Sequence, residues 1–118
     1  IEENSILLGK REDVSELYQA FDAFVLTSLY EGLPLVGVEA QISGCNCIFS
    51  EKITKEVRIN EKTKFIPIND EKEWINIFLN LDNSIIDRNN IKKDIYNIEK
   101  NANEMVEIYN KQLKKEKR

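Results

Sequence analysis

Histidine is absent from this chain, and that absence removes more chemistry than any other. Without an imidazole there is no Ser-His-Asp or Cys-His pair, and most zinc sites lose their commonest ligand. Cysteine is scarce: Cys45 and Cys47 are the two present. At i, i+2 on a strand they point to opposite faces, so no bridge between them is expected. They read as small buried apolar side chains, and reduced thiols fit the cytosol. No apolar run is long enough to span a bilayer. No signal peptide is visible, but the chain opens on Ile1 rather than Met, which leaves room for an upstream segment.

What is present is an ordinary globular mixture. The chain has 118 residues, 42% hydrophobic and 32% charged, with a net charge of −4. That length means one domain at most, able to bury a real but modest core. The acidic balance argues against a nucleic-acid partner.

Along the chain, Ile6-Leu7-Leu8 closed by Gly9 reads as a strand end. Asp13 with Glu16 three residues on is a capping-box pattern, and Val14, Leu17, Tyr18 and Phe21 follow at helical spacing. Phe24-Val25-Leu26 reads as a buried strand, and Thr27 to Leu33 as a loop. Pro34 suits the first turn of a helix running to about Ser43, with Gly44 as its C′ residue. Cys45 to Phe49 is the next strand. Beyond a charged connection, Lys64 to Ile68 is extended, and Pro67 marks an edge or strand end. Asp70 is placed to cap a helix whose apolar face carries Trp74, Ile75, Phe78 and Leu79, with Trp74 a packing residue. Ile91, Ile95, Ile98, Ala102, Met105, Tyr109 and Leu113 keep the helical period, which predicts a packed terminal helix. Lys114 to Arg118 is expected to be a frayed tail. Alternation of this kind gives an α/β fold with a mostly parallel sheet, in which ligands sit at the carboxyl ends of the strands.

The chemistry concentrates between Ser28 and Glu39. Gly32 lets a ligand approach the loop backbone. The helix beginning at Pro34 offers first-turn amides without intrahelical partners, and together with the helix dipole they suit an anion such as a diphosphate. Glu39, further into the helix, can accept hydrogen bonds from a ribose diol. Glu31, in the loop, can reach sugar hydroxyls. The competing reading makes Glu31 an exposed loop charge and Glu39 a solvated helix residue. Against it, Glu39 lies among Val36, Val38, Ala40 and Ile42, and a charge among apolar neighbours needs a reason.

Glu31-Gly32-Leu33-Pro34 followed by Glu39-Ala40 resembles the E-x7-E motif of the retaining GT-B glycosyltransferases of family four. The flanks are similar too: Leu8-Gly9-Lys10-Arg11-Glu12-Asp13-Val14, then Leu17-Tyr18, then Phe21 to Leu26, then Ser28, Ser43-Gly44, Cys47-Ile48 and Ser50. The resemblance runs from about Ile6 to Leu81. The wording of Gly37 to Gln41 and of Ile53 to Glu56 is similar to enzymes that build bacterial capsular or extracellular polysaccharides. The resemblance implies a Rossmann-like parallel sheet with flanking helices, forming part of the C-terminal domain of the GT-B fold. It implies a partial nucleotide-sugar-binding domain over residues 1–90 and an amphipathic helix and tail over 91–118. By the same resemblance Glu39 binds the donor ribose, and Glu31 contacts the donor sugar and is the catalytic candidate. The loop and helix start at Gly32, Leu33, Leu35 and Val36 lie beside the diphosphate, and Gly9, Lys10 and Arg11 lie near the base. The implied chemistry retains configuration by front-side attack, with no metal and no cofactor beyond the nucleoside diphosphate sugar itself, a UDP-sugar in the first instance.

The chain departs from that family in ways that bear on activity. The resemblance implies a separate N-terminal domain for the glycan acceptor, and an opening strand and loop whose Arg and Lys neutralise the diphosphate. Neither has a counterpart here. Each lost charge-assisted hydrogen bond is worth roughly 1.5–3 kcal/mol, so this stretch alone is expected to bind donor weakly and not to transfer sugar. Missing strands would leave open edges that favour self-association. Lys52 to Lys55 lacks the glycine-rich turn of many relatives, so Glu56 is expected to be a surface charge. Two other functions compete: a GT-B UDP-sugar epimerase, disfavoured by the missing histidine, and a non-catalytic domain that binds a nucleotide-sugar or a protein. The expected location is the cytoplasm, with the inner face of the membrane as the alternative.

Overall fold

The computed structural model of the protein describes residues 2–82 and 91–116. The regular elements are helix α1 (Val14–Ala20), strand β1 (Ala23–Leu26), helix α2 (Leu35–Ile42), strand β2 (Asn46–Ser50), strand β3 (Lys64–Ile66), helix α3 (Glu71–Leu79) and helix α4 (Ile98–Glu116). Short 3-10 turns lie at Glu2–Asn4, Lys55–Val57 and Lys93–Tyr96.

The three strands form one parallel sheet in the order β1-β2-β3, with Phe24 opposite Cys47, Leu26 opposite Phe49 and Phe49 opposite Phe65. Side chains alternate across a pleated sheet, so these residues share one face. On that face Tyr18, Phe24, Phe49 and Phe65 form a line of edge-to-face rings with centroids 5.5, 6.4 and 5.6 Å apart. Val38 and Ala40 of α2 and Val57 and Ile59 of the following connection complete this core. The other face buries Ile48 and Ile66 against Ile77 of α3, with Trp74 packed alongside. The result is the expected α/β arrangement, helices on both faces of a parallel sheet.

Local signals account for most of the boundaries. Helix α2 ends in a Schellman pattern, with Gly44 at φ 85° and the amides of Gly44 and Cys45 on the carbonyls of Gln41 and Ala40. Helix α3 is capped by Asp70, whose carboxylate accepts the Glu73 amide at 3.1 Å. Trp74 donates its indole N–H to the Pro67 carbonyl at 3.0 Å, in keeping with a packing role. Cys45 and Cys47 are free and buried, and burial pushes both thiols up.

Four expectations are corrected. Ile6-Leu7-Leu8 forms no strand, and Ile6 and Leu7 are 84% and 100% exposed. An extended segment needs a neighbour for its N–H and C=O groups, and among the described residues the sheet ends at β1. Asp13 precedes α1 without a side-chain cap, because its carboxylate binds the Arg11 guanidinium instead. Helix α3 buries Ile77 and leaves Ile75 and Leu79 exposed. Finally, the terminal helix does not pack along its length. Asn97 breaks the run by accepting the Lys100 amide at 3.0 Å, and the described side chains of α4 are all exposed. Ile91 and Tyr96, by contrast, join the core ahead of it. Part of the expected frayed tail, residues 117–118, and the stretch 83–90 fall outside the described residues.

Candidate functional site

The loop after β1 and the turn after β2 sit at the carboxyl ends of neighbouring parallel strands, where open α/β sheets bind ligands. An open cleft of about 340 Å³ lies there, lined by Leu29, Tyr30, Glu31 and Lys52. A smaller cavity of about 140 Å³ opens near the amino ends of β2 and β3, lined among others by Asn46, Lys62 and Asp82. There Asn46 donates to the carbonyls of Asp22 and Asp82, and Lys62 pairs with Asp82 at 3.1 Å. That second cavity is held by structural hydrogen bonds at the wrong end of the sheet for a ligand of this fold class.

Glu31 is exposed but fixed: the Ser28 hydroxyl donates to its carboxylate at 2.8 Å. Gly32 follows with open space where a Cβ would lie, so no protein atom crowds the loop there. Pro34 stands at the N-cap of α2 rather than inside its first turn. Its carbonyl takes the amides of Gly37 and Val38 at 3.0 and 3.4 Å. The amides of Leu35 and Val36 lie ahead of those bonds, at the positive end of the helix. Leu33, Leu35 and Val36 are all exposed, so the start of α2 is open to a ligand.

Glu39 lies about one turn short of the helix end on an exposed position, beside Tyr18 of α1. Burial, and then the Glu39 carboxylate, push the Tyr18 hydroxyl above its ordinary range. Exposure on the helix surface is what lets a carboxylate stand in this apolar stretch of sequence. Gly9 occupies the left-handed region at φ 66°. Lys10 is exposed next to it. Arg11 is engaged by Asp13 through two hydrogen bonds, one of 2.7 Å from its Nε, and that pairing raises its pKa and lowers that of Asp13. The structure therefore gathers Glu31, Gly32, Leu33, Leu35 and Val36 around one helix start, with Glu39 further along the same helix. It gives Arg11 a local partner. Glu56 is exposed, as expected of a surface charge.

Three residues escaped the sequence reading. Lys52 shares the cleft with Glu31; its signal was its place just after β2, matching that of Glu31 after β1. Gly37 lets α2 sit on the sheet, since a Cβ there would meet Phe49 Cζ at 2.9 Å. Gln41 is fully buried and hydrogen-bonded at both ends of its amide. Among the described residues no group of three or more His, Cys, Asp or Glu could hold a metal ion. Nor is any helix among them long and apolar enough to cross a membrane.

A parallel sheet with helices on both faces and an open crevice at its carboxyl ends defines a Rossmann-like type of domain. The sequence matches the family Glycosyl transferases group 1 over residues 1–83, and the chain belongs to that family. It is 34% identical over 112 residues to the Escherichia coli "UDP-Gal:alpha-D-GlcNAc-diphosphoundecaprenol alpha-1,3-galactosyltransferase", covering 88% of this chain and 29% of that protein. It is 56% identical over 52 residues to "Putative glycosyltransferase EpsF" of Bacillus subtilis (strain 168), covering 44% of this chain and 14% of that protein. The chain thus spans less than a third of the length of either relative. No solved structure matches it significantly.

Proposed function

We propose that this chain forms the donor side of a glycosyltransferase that moves a sugar from a nucleoside diphosphate sugar, a UDP-sugar, to a glycan acceptor with retention of configuration. The observation that carries this reading is the start of α2. The first-turn amides of the exposed residues Leu35 and Val36 stand between Glu31, which Ser28 anchors, and Glu39, which lies beside Tyr18. An anion at the amides would place a sugar toward Glu31 and a ribose toward Glu39, each carboxylate accepting from hydroxyls. The galactosyltransferase relative, whose name carries UDP-Gal, supports uridine as the base. The EpsF name supports an extracellular polysaccharide as product.

In this reading no metal takes part, and the acceptor is held by a further domain of the whole protein. The free thiols of Cys45 and Cys47 fit work on the cytoplasmic side of the membrane. The outer edge of β1, unpaired among the described residues, is where a further strand or a second copy would add.

The test is donor binding by the whole protein. UDP titrated by NMR or calorimetry is expected to shift Gly32 and Glu39. Glu39→Ala is expected to weaken UDP roughly tenfold, the value of a hydrogen bond to a charged group. No response at either residue at millimolar UDP removes the proposal.

A further inference from the structure

The cleft beside Glu31 has a second polar wall, and its chemistry is opposite in sign. Lys52 sits on the turn that leaves β2, and its backbone is tightly fixed. Its amide donates to the Ser50 hydroxyl at 3.2 Å, and the next amide, of Ile53, donates to the Ser50 carbonyl at 3.1 Å. Ser50 and Ile53 are both buried, so the turn cannot shift without opening the core. The side chain itself is exposed, with its ammonium 3.7 Å from Glu51, a surface pair that contributes little and exchanges readily. A rigid base carrying an exposed ammonium lines the same cleft as an anchored carboxylate, so the cleft offers both a donor and an acceptor.

The remaining lining is apolar: Leu29, and Tyr30 at 95% exposure. At about 340 Å³ the cleft falls at the lower end of the roughly 300–1,000 Å³ typical of small-molecule sites. It does not include Leu35 or Val36, so it lies to one side of the amides that suit a diphosphate. An occupant matching this lining has an apolar face for Tyr30 and an edge of hydroxyls that both donates and accepts. A pyranose ring has that make-up; a phosphate does not.

We propose that Lys52 is a sugar-specificity residue, its ammonium donating to an oxygen of the transferred sugar while Glu31 accepts from a hydroxyl of the same ring. This rests on the proposed donor-binding function. Lys52 acts on the sugar and not on the nucleotide, so its effect separates from that of Glu39.

The experiment is calorimetric titration of the whole protein with UDP and with UDP-galactose, UDP-glucose and UDP-N-acetylglucosamine, comparing wild type, Lys52→Met and Lys52→Arg. At least one UDP-sugar is expected to bind more tightly than UDP. Lys52→Met is expected to weaken that sugar roughly tenfold while changing UDP less than about twofold. Lys52→Arg is expected to restore part of the loss, and both variants to melt as wild type does because the side chain is exposed. An equal loss for UDP and UDP-sugar would assign Lys52 to the diphosphate and overturn the inference. So would an unchanged UDP-sugar affinity in Lys52→Met, or no UDP-sugar binding more tightly than UDP. Absence of UDP binding in wild type, by contrast, counts against the donor-binding function itself.

Discussion

The side-chain oxygen of Gln41 accepts the Thr63 hydroxyl at 2.8 Å. The same oxygen takes the amides of Ile59 and Asn60 at 3.0 and 3.1 Å, and the amide nitrogen donates to the carbonyls of Gly37 and Val57 at 2.9 and 2.8 Å. One buried side chain therefore ties α2 to the whole connection between β2 and β3, with every polar atom used. Gln41→Leu keeps the approximate volume but strands those donors. Each unsatisfied buried group costs roughly 1–3 kcal/mol, so a loss of at least about 3 kcal/mol is expected in urea unfolding. Gln41→Glu turns a donor into an acceptor against two carbonyls. It is expected to destabilise more at neutral pH than at pH about 4, where the carboxyl regains a proton. A loss under about 1 kcal/mol for Gln41→Leu would show that the connection holds itself.

Gly37 sets how closely α2 approaches the sheet. An added Cβ meets Phe49 Cζ at 2.9 Å and Val57 Cγ2 at 3.3 Å, and Phe49 is itself fully buried among other rings. Alanine would raise helix propensity by about 1 kcal/mol, but overpacking costs about 1–3 kcal/mol. Gly37→Ala is expected to lower the melting temperature. Pairing it with Phe49→Leu should recover part of the loss, because the clash is with the ring. If Gly37→Ala raises the melting temperature, the close approach is not a constraint.

Which parts were legible in the sequence follows from how local their causes are. The Asp70 cap and the Gly44 C′ position are decided within a few residues, and both stand as the sequence indicates. The start of α2 and its two glutamates were likewise readable from one short stretch. Ile6-Leu7-Leu8 has strand composition but no strand beside it, and pairing is not written in a single segment. Asp13 matched a capping pattern, yet Arg11 competes for the same oxygens. Helix α3 has apolar residues on two stripes, and only the position of the sheet chooses Ile77 over Ile75. In α4 the period states that one face is apolar, not that anything covers it. Gln41 carried no local signal, because its partners lie up to 22 residues away.

Ser28, half-buried beside the cleft, holds the exposed Glu31 by the 2.8 Å hydrogen bond from its hydroxyl. Removing the hydroxyl leaves Glu31 in place but free to choose other rotamers. A hydrogen bond to a charged group in this range is worth about 1.5 kcal/mol at its lower end, or roughly tenfold. Ser28→Ala in the whole enzyme is therefore expected to cut donor kcat/KM by up to about tenfold, with the melting temperature unchanged. Glu31→Gln keeps an acceptor oxygen but loses the charge, and is expected to cost more than Ser28→Ala. Equal activity of wild type and Ser28→Ala would mean that substrate orders Glu31 unaided.

Burial pushes the Cys45 and Cys47 thiols above their ordinary value of 9.0, Cys47 by far the more. The sign of the stability effect follows from proton counting. Below pH about 9 both folded and unfolded thiols keep their protons, and the contribution is constant. Above it the unfolded chain releases protons that the folded chain retains, so the unfolding free energy falls as pH rises. Tyr18, raised from 10.0 by burial and by Glu39, adds a loss in the same direction at slightly higher pH. The urea midpoint is therefore expected to be flat between pH about 7 and 8.5 and to fall from about 9 upward. Cys47→Ala lowers the midpoint everywhere through the cavity it leaves, but should make the fall above pH 9 shallower, because its thiol no longer ionises in the unfolded chain. An unchanged slope in Cys47→Ala would assign the alkaline loss to the tyrosines. In the folded protein both thiols are buried, so alkylation at neutral pH is expected to proceed only as fast as the core around Phe49 opens.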